Sequence, residues 1–154
     1  MKSLSACLIV CAVGLLYAVL TLGSFAETAP AMAHVSPVIA GFHQHYFYGA
    51  TATLSVNPGE VLFQTIYLDP LTMPREVMLQ WKDGNWEHRA YWGEDLIDLG
   101  TGRVYMGPLP ASGQWVRLEV PASLVGLEGH VLNGLAFSLY DGRATWDHAG
   151  KAAP

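Results

Sequence analysis

The side chains able to do chemistry gather in three short stretches. Within residues 41–48, GFHQHYFY, His43 and His45 stand two apart, so on a strand both imidazoles face the same way, as a metal-chelating pair of histidines would. No third ligand is evident nearby, and a pair of histidines on a half-exposed aromatic strand is the reading adopted. Residues 93–102, GEDLIDLGTG, put Glu94, Asp95 and Asp98 in a glycine-bounded loop. Carboxylate oxygens are what calcium takes, but the spacing is not that of an EF-hand, and a solvated acidic loop is expected. The third stretch holds Glu87 and His88, the histidine reading as a satisfied, buried ring rather than a catalyst. A glycoside hydrolase needs a pair of carboxylates across a cleft, and nothing in the sequence sets any pair among Glu87, Glu94, Asp95 and Asp98 face to face. Neither a nucleophile elbow, nor H-E-x-x-H, nor a phosphate loop occurs. The chain is therefore expected to be non-catalytic.

The element that must organise these residues is residues 75–92, REVMLQWKDGNWEHRAYW, which reads as a hairpin turning at Asp83-Gly84. A two-residue turn there sets Trp81 opposite Trp86, Leu79 opposite His88 and Val77 opposite Ala90. Val77, Leu79, Trp81, Trp86, His88, Ala90 and Trp92 then share an apolar face, and Met78, Gln80, Glu87 and Arg89 a wet one. A hairpin of this kind is not stable alone and needs a second layer. Residues 51–56, 61–68, 114–120, 132–140 and 143–146 supply further strands, punctuated by Asn57-Pro58-Gly59, Asp69-Pro70, Pro121 and Asp141-Gly142. In residues 114–120, Val116, Leu118 and Val120 point inward and Trp115, Arg117 and Glu119 outward. About seven or eight short strands with no helix among them predict an all-β, antiparallel jelly-roll sandwich.

The chain has 154 residues, 51% of them hydrophobic, and a formal net charge of −5. With no basic cluster, it lacks the electrostatic footprint of a nucleic-acid binder. Much of the apolar excess lies in residues 4–25, which carry no charge; as a helix they would span about 33 Å, enough to cross a bilayer. Lys2 is the only Lys or Arg before Arg75, which holds the N-terminus in the cytoplasm and sends the rest across. The length of the run favours a retained transmembrane anchor, whereas Ser24-Phe25-Ala26 and Ala31-Met32-Ala33 favour a cleaved signal peptide. Cys7 precedes the apolar core rather than following it, so it is not a lipidation site, and Cys7 and Cys11 are too far apart on a helix to bridge. The expected organisation is a leader at residues 1–26, an extended Ala/Pro-rich linker at 27–40, the β-sandwich at 41–150 and a tail at 151–154.

Trp115-Val116-Arg117-Leu118-Glu119-Val120-Pro121, Leu127-Glu128-Gly129, Asn133-Gly134-Leu135-Ala136-Phe137-Ser138-Leu139-Tyr140 and Asp141-Gly142-Arg143-Ala144-Thr145-Trp146-Asp147 together resemble the back half of the jelly-roll, galactose-binding-like carbohydrate-binding modules. The hairpin at 75–92 is similar to that of small bacterial domains appended to secreted proteins. The resemblance implies a structural calcium held by an aspartate on the closing strand, here Asp147, and sugar contact through exposed aromatics, here Trp115, Tyr91 and Trp92.

Two functions are expected from these features. The first is a non-catalytic accessory subunit, anchored in the cytoplasmic membrane by residues 4–25, whose periplasmic or extracellular sandwich docks onto other subunits of a larger membrane complex, an energy-transducing or photosynthetic one among the plausible hosts. The second is a surface-tethered or secreted glycan binder.

Overall fold

The structure, a computed structural model, describes residues 33–153. The expected anchor at residues 4–25 lies outside the described residues, and among those described no helix is long and apolar enough to cross a membrane. The strands in chain order are β1 (His34–Val35), β2 (Phe42–Phe47), β3 (Leu54–Ser55), β4 (Val61–Leu68), β5 (Glu76–Lys82), β6 (His88–Gly93), β7 (Arg103–Tyr105), β8 (Trp115–Pro121), β9 (Val131–Leu132), β10 (Gly134–Tyr140) and β11 (Ala144–Ala152). A single turn of 3-10 helix, Ala122–Val125, follows β8. The first sheet has the order β1-β11-β4-β8, the second β2-β10-β5-β6-β7, and β3 pairs with β9 as a separate ribbon. All pairings are antiparallel except β6 with β7. Among the described residues the architecture is thus all-β as expected, with eleven strands rather than seven or eight, because short strands such as β1, β3 and β9 are too brief to leave an alternation in the sequence.

The two large sheets share one apolar core and are sandwich-like in that sense. Leu62, Ile66, Leu68, Leu118, Val120, Ala144 and Trp146 come from the first sheet, and Val77, Leu79, Trp81, Ala90, Trp92 and Leu139 from the second. Strand β4 alternates residue by residue, its even-numbered positions buried, as strict period-two patterning requires. Gln64 occupies that inward row, and its Nε2 donates to the Asp147 carbonyl at 2.5 Å. The reason lies in β11: between Trp146 and Ala149 it carries two residues against Thr65 alone, a bulge that lifts the Asp147 carbonyl out of the ladder. At Asp141-Gly142 both residues have positive φ, 60° and 64°, the mirror-image turn expected of Asp-Gly.

Several expectations are corrected. The hairpin pairs Trp81 with His88, Leu79 with Ala90 and Val77 with Trp92, a slip of two from the register that a two-residue turn imposes. The turn is longer because side chains close it: Asp83 Oδ1 accepts from the Asn85 N–H at 3.4 Å, and Asn85 Oδ1 from the Glu87 N–H at 2.7 Å. A slip of two preserves facing, so Val77, Leu79, Trp81, His88, Ala90 and Trp92 still point inward, but Trp86 leaves the ladder altogether.

Of the supposed wet face, Met78, Gln80 and Arg89 are buried, whereas Glu87 is exposed as expected. Glu76, earlier on β5, is buried too, and residues 94–102 bond to it and to Arg89. Glu76 Oε2 accepts the Leu96 and Ile97 N–H groups at 2.6 and 2.7 Å, and Arg89 Nη1 donates to the Thr101 carbonyl at 2.5 Å. The acidic loop is accordingly a lid whose backbone bonds to Glu76 and Arg89, while its three carboxylates stay exposed, as expected, beside arginines. Glu94 pairs with Arg75 at 2.5 Å, while Asp95 and Asp98 lie 2.6 and 3.9 Å from Arg103. At the chain ends of the domain, His34 and Val35 pair with Trp146 and Thr145, so part of the stretch expected as linker joins a sheet. Strand β11 runs on through Lys151 and Ala152, in the stretch expected as a tail.

Candidate binding groove on the second sheet

The outward row of the second sheet lines a groove. Antiparallel pairing sets Tyr46, Ala136, Gln80 and Arg89 in one row across four strands, with Gln44 beside Ser138 in the row next to it. These side chains are wired together: Arg89 Nε donates to Gln80 Oε1 at 3.0 Å, and Gln80 Nε2 to Ser138 Oγ at 3.0 Å. Ser138 Oγ in turn donates to Gln44 Oε1 at 3.1 Å. The buried members of the row are therefore satisfied, and their donors and acceptors are fixed in direction.

Aromatic walls rise from this floor. Tyr46 and Tyr48 stack with ring centroids 6.1 Å apart, Trp86 meets Tyr46 edge-on at 6.3 Å, and the Lys82 ammonium lies 5.8 Å from the Trp86 ring. With Leu99 from the lid, these residues enclose a groove of about 450 Å³, the size range of small-molecule sites. Glu87, held to Arg89 at 3.1 Å and to Thr101 Oγ1 at 3.0 Å, keeps its carboxyl below the usual range through those hydrogen bonds.

The contact residues expected from the sequence are not brought together. Trp115 does face outward, but on the first sheet, where its ring packs 5.7 Å from Tyr67. Tyr91 is on the outer face of the second sheet, 5.4 Å from Tyr105 and apart from the groove. Trp92 is buried in the core, because the side chains of β6 alternate and its neighbour across the hairpin is Val77. The residues missed were Tyr46, Tyr48 and Trp86. A signal for the first two was present in the run HQHYFY, whereas Trp86 was assigned to the apolar face by the assumed turn.

Asp147, the residue expected to hold calcium, sits at the β11 bulge with Oδ2 2.5 Å from His148 Nδ1. Among the described residues it belongs to no group of three metal-ligating side chains. His43 and His45 do face the same way, against Leu139 and Phe137, and His34 adds a ring 3.8 Å from His45. His45 stacks on Phe137 at 4.7 Å, and burial first, then the charge of His34, holds its pKa down to about 4. The histidines of this edge do not bring their ligating atoms together as a group. No protein-family model, curated protein or solved structure was found to match the chain.

Proposed function

We propose that this domain is a non-catalytic binding module that takes a saccharide in the outer groove of the second sheet. The observation that carries the reading is the combination of Tyr46, Tyr48 and Trp86 with a floor of oriented amides and a guanidinium. A pyranose has an apolar C–H face that stacks on aromatic rings and a rim of hydroxyls that needs fixed donors and acceptors. The groove offers both within one volume. The jelly-roll arrangement and the tether belong to this reading: residues 4–25 hold the domain at the outer face of the cytoplasmic membrane, facing the periplasm or the exterior. The test is a glycan array on the full-length chain in mild detergent. Saturable binding is expected, weakened at least tenfold by Trp86→Ala and unchanged by Trp115→Ala. Binding to no glycan, or equal loss in both variants, would overturn the groove assignment.

A second reading is favoured by the edge strand β2, which exposes Phe42, Tyr46 and Phe47 and carries no Lys, Arg, Asp or Glu to discourage pairing. In that reading β2 receives a strand from another subunit of a membrane complex, and the domain is an accessory subunit. Co-purification from native membranes separates the readings. A stoichiometric protein partner lost on Phe42→Lys, without glycan binding, selects the second.

A further inference from the structure

The hairpin turn brings together a second group that neither reading uses. Asp83 stands in the turn, His88 opens β6, and His130 lies in the loop just before β9, 47 residues beyond Asp83. His88 Nδ1 is 2.7 Å from the Val125 carbonyl oxygen, which can only accept, so Nδ1 donates. The other ring nitrogen, Nε2, is buried and has no hydrogen-bond partner, yet Asp83 Oδ1 lies only 3.3 Å away. A neutral imidazole with its proton on Nδ1 presents a lone pair at Nε2. A lone pair beside a carboxylate oxygen is unfavourable unless a proton or a metal cation sits between them. On the other side, His130 Nδ1 meets Asp83 Oδ2 at 2.6 Å, and the His88 and His130 rings stand 5.8 Å apart.

We propose that Asp83, His88 and His130 form a binding site for one divalent ion of the zinc class, which clips the β5–β6 turn to the loop before β9. Ligating atoms of all three residues lie within 4.8 Å of one another. Zinc bonds nitrogen and oxygen at about 2.0 to 2.2 Å, which makes the edge of its tetrahedron about 3.3 to 3.4 Å. That is the separation of His88 Nε2 from Asp83 Oδ1. His130 Nδ1 meets the other carboxylate oxygen, Oδ2, so admitting the ion requires that contact to open and the ligating atoms, now within 4.8 Å of one another, to settle at that edge length. The Val125 carbonyl already plays the supporting part that backbone oxygens play for metal-bound histidines, fixing which nitrogen is free and where it points. Two imidazoles select a borderline ion over calcium or magnesium, which prefer oxygen. Three protein ligands leave the fourth position to water or to a donor from a bound molecule. Trp86 lies inside the clipped turn, so the ion also steadies one wall of the groove.

The experiment is calorimetric titration of chelator-stripped, full-length protein with zinc chloride, with calcium chloride in parallel. One zinc per chain is expected, with a dissociation constant of about 1 μM or below and no heat from calcium. His130→Gln, a half-exposed position where the fold should persist, is expected to weaken zinc at least tenfold, and Asp83→Asn likewise with an unchanged circular dichroism spectrum. The 15N resonance of His88 Nε2 should shift on adding zinc to the parent protein. Failure of the parent to take up zinc would overturn the site. So would His130→Gln binding as tightly as the parent, which would place the ion elsewhere, for instance at His43 and His45.

Discussion

His45 carries the sharpest expectation for a single residue. The ring titrates near 6.5 in an unfolded chain, and in the fold burial and His34 delay protonation to about pH 4. Between those values the unfolded state binds more protons, so stability rises with pH across the window. The contribution of His45 is whole above pH 6.5 and is lost as pH falls from 6.5 to 4. Thermal melts should show Tm dropping over that interval, with His45→Phe removing part of the slope while keeping the stack on Phe137; an identical slope in parent and variant would sink the assignment. That His43 and His45 share a face was legible in their spacing. That their neighbours are Phe137, Trp146 and His34 was not, since β1 and β2 are edge strands of different sheets and meet only once both have formed.

At the scale of the element, the lid formed by residues 94–102 depends on one buried carboxylate. Burial first pushes the Glu76 carboxyl up, against the pull of the two N–H groups it accepts. Glu76→Ala leaves the Leu96 and Ile97 amides without an acceptor in the interior, which should cost about 2 kcal/mol and raise hydrogen exchange at both. Glu76→Gln keeps an acceptor oxygen and should lose less. Unaltered exchange at Leu96 and Ile97 in Glu76→Ala would mean that the lid is held by other contacts. Gly102 is the second fixture: with φ at 71°, a β-carbon there would stand 1.9 Å from the Glu87 carbonyl oxygen, so Gly102→Ala should destabilise the return of the lid to β7. Its check is urea denaturation, and a midpoint equal to the parent's would refute the close approach. The sequence showed an acidic loop between glycines; which surface it lies on depends on Glu76, some twenty residues earlier, whose role has no local signature.

At the scale of the whole molecule, both large sheets meet in one core, so the domain should unfold in a single transition seen alike by tryptophan fluorescence and far-UV circular dichroism. Ile66→Ala, at a fully buried position of β4, should cost about 3 kcal/mol through lost burial and a residual cavity. Separate transitions by the two probes would show that the sheets do not share a core. Strand periodicity is local and was therefore readable: β4 has the expected bounds, β8 presents Leu118 and Val120 inward and Trp115 outward, and Asp141-Gly142 turns as its residue types demand. The facing of the β5–β6 hairpin was readable too, but its register was not, because a slip of two leaves every side chain on the same face. Register instead follows from what the turn is tied to, Asp83 to His130 and His88 to the Val125 carbonyl. The same limit hid the parallel β6–β7 pair, the lid bonded to Glu76 and Arg89, and the groove with Trp86 at its wall. Alternation along a strand reports which side faces the core. Only long-range pairing decides what stands opposite, and the groove and the histidine–aspartate cluster are both made of residues that stand opposite one another.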